Sequence, residues 1–410
     1  MSTTAITGAR VFDGEKPLGV TTVVIRGGTI VQVGGEVPAG AEVVDGSGAT
    51  LLPGLIDAHV HTDRDSLALA LKFGVTTELE MQGVNTRDRR GAISEDDSVA
   101  DVRSSGFALT PPGGHPSELF PKDFHPGGPA GGRGGGHRGE PPYRPDATSP
   151  EAAAASVPQL LAHGSDYIKF MIDDGSVEGH PGLPMLDQDT LNAGVAAAKR
   201  HGALTVAHVL TIDAARMAIE AGIDGLVHLF VEPPTDEIVT MIKDSGAFVV
   251  PCTVLNASMM GVTGSELADD PRVARRLDTD WDATLRSCFG HYPQGGFQDV
   301  LDGVEALADA GVDLLVGTDV SQPLPFLGGL AHGASVHQEL QNLVRAGLTP
   351  AAALRAATAT TARRFRLSDR GRIAEGLRAD LLLAGGDPTT TITDSLNTRA
   401  VWRRGTRLAV

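Results

Sequence analysis

Between residues 51 and 319 one pattern recurs: a short apolar run, then a longer stretch of helical character. The runs are Leu51–His61, Val75–Met81, Gly106–Thr110, Tyr167–Ile172, Leu204–Val209, Gly225–Phe230, Ala247–Val254 and Val312–Asp319. Short apolar runs that alternate with helices predict βα units and a parallel sheet. Of the intervening stretches, Leu191 to His201 and Ile212 to Gly222 are Ala-rich and end near a Gly stop signal. Eight such runs predict a (β/α)8 TIM barrel, in which functional residues sit at the C-terminal ends of the strands.

The two ends read differently. Residues 1–50 hold short β-type segments between glycines: Ala5 to Phe12, Thr22 to Arg26, Ile30 to Val33 and Glu42 to Asp45. Residues 366–410 return to β character in Ala379 to Ala384 and Ala400 to Arg403. The expected architecture is therefore α/β: a barrel over 51–365, and a small β-sandwich domain built from 1–50 and 366–410.

Composition narrows the function. With 410 residues, 41% of them hydrophobic, the chain can bury a core of that size. Its formal net charge of −17 disfavours nucleic acid, whose phosphates need a basic surface. Cys252 and Cys288 form neither a disulfide framework nor a zinc-finger spacing. The N-terminus shows no secretory signal, and no apolar run approaches the roughly 18 residues of a membrane helix. A soluble, cytoplasmic protein is expected, with a small molecule rather than nucleic acid or membrane as its partner. A homo-oligomer is left open.

Several polar side chains stand where an apolar strand should make them costly. His59 and His61 end the first run, and residues two apart in a strand share a face. Lys169 lies inside the fourth run, His208 near the end of the fifth, His228 in the sixth, and Asp319 ends the eighth. Each taken singly has an ordinary reading: a core histidine, a snorkelling lysine, a helix cap. Six such groups converging on one barrel mouth would be satisfied together only around a strong cation.

These residues occur with the run Leu52-Pro53-Gly54-Leu55-Ile56-Asp57-Ala58-His59-Val60-His61. The tail adds Gly347-Leu348-Thr349-Pro350, Ala356-Ala357-Thr358, Gly371-Arg372-Ile373, Gly376 and Ala379-Asp380-Leu381. In this set the chain resembles the metal-dependent amidohydrolase superfamily, and within it the imidazolonepropionase-like and prolidase-like group. The resemblance covers nearly the whole chain and implies a centre of two divalent metal ions, most often zinc. His59, His61 and Asp319 would hold the more buried ion, and His208 and His228 the second. Lys169 would bridge them as an N6-carboxylysine. Two such ions lower the pKa of a bridging water and polarise the scissile carbonyl. Asp319 would be the general base.

The long segment Pro111 to Asp146 follows the third run and is rich in Gly, Pro and His. A loop of that length in a compact domain is usually functional or disordered. Read as a lid, it offers His115, Arg133, His137, Tyr143 or Arg144 as substrate contacts. His115 leads because it comes directly off the strand, and the resemblance implies that a His near this place faces the substrate. His180, in the loop after the fourth run, is a further candidate. Asp173 and Asp174 could bind a cationic substrate group or orient the bridging lysine, although solvated loop carboxylates are commoner. His332 and His337, five apart, share a helix face poorly, which argues against a metal site there. His163 and His201 read as structural.

The expected activity is hydrolysis of a C–N amide bond in a small N-acyl amino acid, dipeptide or related amide. Alternatives are cyclic amides (imidazolones, lactams) and esters or carbamates. Lys169 weighs against a mononuclear deaminase. A catalytically inactive barrel that serves as a binding protein is the non-enzyme alternative.

Overall fold

A glycine divides the first apolar run between two sheets. The computed structural model describes residues 2–85, 87–119 and 143–408. Within it, Ala49–Pro53 pairs antiparallel with Leu381–Gly385 and parallel with Arg10–Phe12. Leu55–Val60 pairs parallel with Val75–Glu80. Both segments are buried throughout, so composition could not separate them. Gly54 is the joint: its N–H donates to the Asp380 carbonyl at 2.8 Å. A Cβ there would lie 2.1 Å from Thr76 Oγ1. The expectation of one strand over 51–61 is corrected accordingly.

The parallel pairings then run in chain order. Leu55–Val60, Val75–Glu80 and Asp101–Ser104 form one sheet. Ile168–Ile172, Thr205–Val209, Gly225–Val227 and Phe248–Val250 form another. Isolated parallel bridges join Leu109 to Phe170, Val249 to Leu314 and Val60 to Val320. The third paired strand is thus Asp101–Ser104, ahead of the expected Gly106–Thr110, of which only Leu109 makes a bridge. Asp101 and Arg103 disguised that strand; the burial of Asp101 is supported by guanidinium groups from the far end of the chain.

Helices return between the strands, and their starts are capped as the sequence allows. Asp63, Ser149, Asp187, Thr211 and Thr235 each accept from the backbone N–H three residues on. Helices Gln188–Arg200 and Ile212–Ala221 match the two Ala-rich stretches. Their apolar faces (Leu191, Val195, Ala214, Ala218) pack with Phe170, Ala207 and Leu226 of the strands in one core.

The ends of the chain build two more sheets. One has the order Thr29–Val33, Val23–Arg26, Thr3–Thr7, Glu42–Asp45. The other runs Thr406–Leu408, Thr398–Arg403, Leu381–Gly385, Ala49–Pro53, Arg10–Phe12, Pro17–Val20. Ile6, Val23, Ile25, Leu51, Leu381, Leu383 and Trp402 form a shared apolar cluster. Asp101 ties this part to the parallel strands. Its Oδ2 lies 2.5 Å from Arg370 Nη1 and 3.2 Å from Arg378 Nη1, and its Oδ1 lies 3.7 Å from Arg403 Nη2. Among the described residues, no helix is long and apolar enough to cross a membrane.

Candidate metal centre

Strand Leu55–Val60 delivers His59 fully buried and His61 just beyond its end, about a quarter exposed. The end of the eighth run lies against this strand. Thr318 and Asp319 donate backbone N–H groups to the His59 carbonyl at 3.3 and 2.7 Å. Asp57 holds the two segments together: its Oδ1 accepts from the N–H of His59 and of Thr318, each at 3.1 Å. Its Oδ2 accepts from Thr318 Oγ1 at 2.7 Å. Asp319 itself has φ 59°, a left-handed backbone that Asp tolerates better than most side chains.

The result is convergence on one oxygen. His59 Nε2 lies 2.9 Å and His61 Nε2 lies 3.0 Å from Asp319 Oδ1. Lys169 Nζ lies 3.2 Å from His59 Nε2. The His228 ring stacks on His59 with centroids 4.5 Å apart, and its Nε2 is 3.7 Å from Asp319 Oδ2. The His208 ring stands edge-on to His228 at 4.8 Å. The six residues expected from the sequence are thus neighbours, although His208 turns its Nε2 to Asp173 at 2.7 Å.

Electrostatics set their protonation. Burial, with Lys169 beside it, lowers His59 to about 3, so the ring is neutral at neutral pH. Burial lowers His228 and His208 as well. Burial also lowers Lys169 to about 8, against a smaller opposing pull from Asp319. Burial alone would raise Asp319, but the neighbouring His59, His228 and His61 side chains hold it well below the usual carboxylate range.

A cation fits these groups. His61 Nδ1 lies 2.9 Å from the Gln82 carbonyl, which can only accept, so this nitrogen carries a proton. Asp319 Oδ1, which faces His59 Nε2 and His61 Nε2, is buried without a geometrically sound hydrogen-bond partner. A cation placed among these atoms would satisfy that oxygen. His228 Nδ1 is buried without a hydrogen-bond partner. Neutral imidazoles with a carboxylate suit a divalent transition metal. Among the described residues, the ligand atoms of His59, His61 and Asp319 lie within 4.8 Å of one another, as do those of His59, His228 and Cys252. A third such group is His115, Asp173, Glu178 and His208.

The sequence profile of the Amidohydrolase family matches residues 50–408. The chain belongs to the amidohydrolase family. An uncharacterized protein of Mycobacterium tuberculosis is 26% identical over 365 residues, covering 87% of this amidohydrolase and 84% of that protein. An adenine deaminase 2 of Rhizobium johnstonii is 26% identical over 405 residues, or 92% of this chain and 53% of that protein. A solved Xaa-Pro dipeptidase with bound methionine in its active site shares the fold, with a TM-score of 0.74 at 21% identity over 100% of both chains. The same fold is shared by a solved prolidase complexed with N-methylphosphonate-L-proline and by A. niger ochratoxinase.

The proposed substrate contacts fare unequally. His115 is buried, with its ring 4.5 Å from that of His208. Tyr143 turns the other way, its hydroxyl 3.2 Å from Ser156 Oγ and its ring stacked on His163. His180 is exposed, and its ring stands edge-on to His291 at 6.2 Å. Arg133 and His137 lie outside the described residues. His332 binds Glu78 and the Ser321 carbonyl, and His337 binds Ser395 and the Phe73 carbonyl, so both have structural partners.

Other residues at the site went unassigned. Asp173, read as a loop carboxylate, is buried against His208 at 2.7 Å, whereas Asp174 is exposed. Cys252 Sγ lies 3.7 Å from His59 Nδ1, and burial pushes its thiol well up, so it contacts the ring as a neutral group. Asp57 stood inside the quoted motif, but its partner Thr318 is 261 residues away. Glu178 carried no signal in the sequence.

Proposed function

We propose that this amidohydrolase is a metal-dependent (β/α)8-barrel hydrolase that cleaves the C–N bond of a small amide. The observation that carries the reading is the meeting of His59 Nε2 and His61 Nε2 on Asp319 Oδ1. His59, His61 and Asp319 would hold one divalent ion; His208, His228 and Lys169 would complete the site for a second, with zinc the expected metal. When bound, such ions acidify water and polarise a carbonyl. Asp319 accepts a proton from the attacking water and returns it to the leaving nitrogen. His115 lines the same mouth and contacts the substrate.

Lys169 serves best as an N6-carboxylysine. Its free amine adds to carbon dioxide, forming an N–C bond as one C=O π bond opens and releasing one proton, and a neutral amine becomes an anionic ligand. Burial that lowers the amine to about 8 favours the reactive form. The barrel reading is supported by consecutive parallel pairings with bridges at Leu109–Phe170, Val249–Leu314 and Val60–Val320. The apolar cluster common to the two terminal sheets supports a β-sandwich, which takes in Ala49–Pro53 as well as the 1–50 and 366–410 segments.

The adenine deaminase relative makes ring deamination the second reading. The test is elemental analysis of protein purified without chelators, then a panel of dipeptides, N-acyl amino acids, cyclic amides, esters and adenine. About two ions per chain and amide cleavage are expected. Adenine or ester turnover with every amide untouched would overturn the amide assignment, and a protein that binds no metal would overturn the metal-dependent one.

A further inference from the structure

Beside His208 the site carries more negative charge than the metal centre explains. Asp173 Oδ2 lies 2.7 Å from His208 Nε2, and Glu118 Oε1 lies 2.6 Å from His115 Nδ1. Glu178 presents a carboxylate oxygen within 4.8 Å of the ligand atoms of His115, Asp173 and His208. The side chains of Asp173, Glu118 and Glu178 are 4%, 6% and 5% exposed. Among the described residues, their ion-pair partners are histidines, with no lysine or arginine. Glu118 Oε2 and Glu178 Oε2 are buried without a hydrogen-bond partner. The ring nearest Glu178 Oε2 in an ion pair, His291, stands 3.8 Å away, beyond hydrogen-bond reach.

We propose that Glu178, Glu118 and Asp173 form a subsite for a cationic group of the substrate, an ammonium or guanidinium. The nitrogens His208 Nε2 and His115 Nδ1 already face Asp173 and Glu118, so what remains unpartnered is one carboxylate oxygen on each of Glu118 and Glu178, with His291 Nδ1 3.8 Å from the latter. An ammonium offers three donors and no acceptor, and it matches such oxygens without requiring a ring nitrogen. The subsite adjoins the metal centre: ring centroids step from His115 to His208 by 4.5 Å, to His228 by 4.8 Å and to His59 by 4.5 Å. One small molecule can place its amide at Asp319 and its cation at Glu178. The inference rests on the amide-hydrolase reading and narrows it. Amides with a free amino group are favoured over N-acyl amino acids, which lack one.

The experiment compares matched pairs on zinc-loaded protein: a free-amino dipeptide with its N-acetyl form, and the amide of a diamine with that of butylamine. In at least one pair the cationic member should show a kcat/KM about tenfold or more above its neutral match, chiefly through KM. Glu178→Gln should collapse that ratio, and Glu118→Gln should reduce it. Equal kcat/KM within both pairs overturns the subsite while leaving the amide reading intact. Loss of one bound ion per chain in Glu178→Gln also overturns it, because the cluster would then be a metal site. If no amide is cleaved, the amide reading fails, and calorimetric titration with butylammonium decides the subsite. Saturable binding that Glu178→Gln weakens would support it; no saturable binding would overturn it.

Discussion

Gly317→Ala tests whether the eighth segment is fitted to His59 as closely as the site requires. An added methyl carbon would lie 2.4 Å from Val250 Cγ1 and 3.1 Å from both the Cβ and the backbone N of His59. Ordinary carbon–carbon contact is about 3.5–4.0 Å. The overlap with Val250 thus exceeds about 1 Å, and that with His59 is about 0.4 Å or more. Neither neighbour yields easily. Val250 and His59 are both fully buried, and a valine is stiff at χ1. Overpacking of this kind costs about 1–3 kcal/mol. The segment cannot retreat alone, because Thr318 and Asp319 are bonded to the His59 carbonyl and Thr318 to Asp57. Metal sites tolerate displacements of only about 0.2 Å, so zinc affinity should fall by roughly 10–100-fold. Urea unfolding of metal-free protein reads the first effect, and zinc titration against a competing chelator reads the second. A variant with the wild-type midpoint and affinity would refute the reasoning. Lost stability with intact affinity would show that Val250 absorbs the overlap and that the coupling to His59 is wrong.

Further outcomes are expected elsewhere. Asp319→Asn should lower kcat by about 10²–10⁴-fold, the usual range for a general base; undiminished turnover would remove it from that role. With 13C-labelled carbon dioxide held at fixed dissolved concentration, wild-type protein should show a carbamate carbon that Lys169→Met lacks. Because the free amine is the reactive form, labelling at Lys169 should speed up about tenfold per pH unit below about 8 and level off above it; a flat profile would contradict the lowered amine. Asp101 is held at about 2 because Arg370, Arg103 and Arg378 outweigh its burial. Its contribution to stability is therefore full above the ordinary value of 3.8 and lost as pH falls through about 2, while Asp101→Asn, by stranding buried guanidinium groups, should cost about 3–5 kcal/mol in a neutral-pH urea melt. Thr318→Val removes the donor to Asp57 Oδ2 and should cost about 1–3 kcal/mol, with weaker zinc binding in the same titration; an unchanged zinc affinity would show that the Asp57 tie does not position Asp319.

The candidate ligands were legible because each stands in or at the end of an apolar run, where an unpaired polar group is expensive. His59, His61, Lys169, His208, His228 and Asp319 stood out on that ground and converge. Strand Asp101–Ser104 was missed for the converse reason. Its Asp is satisfied by Arg370, Arg378 and Arg403, which lie hundreds of residues away. Asp57 and Asp173 gave local signals, but their roles depend on partners the local sequence does not contain. Glu178 gave no signal, since a glutamate in a loop is ordinarily solvated.

What the sequence determined by itself is what local periodicity and burial cost encode. Apolar runs between helical stretches dictate the order of strands and helices, and polar residues within those runs mark the candidate ligands. The tertiary structure decided matters that depend on approach between distant segments. Gly54 sends half of one run into each of two sheets, because the backbone there must pass against Thr76 and Asp380. Thr318 and Asp57 set where Asp319 meets His59, and the packing beside His208 leaves two carboxylate oxygens without partners. Burial and pairing at such points are sums over neighbours from the whole chain, and a linear reading sees only the neighbours adjacent in sequence.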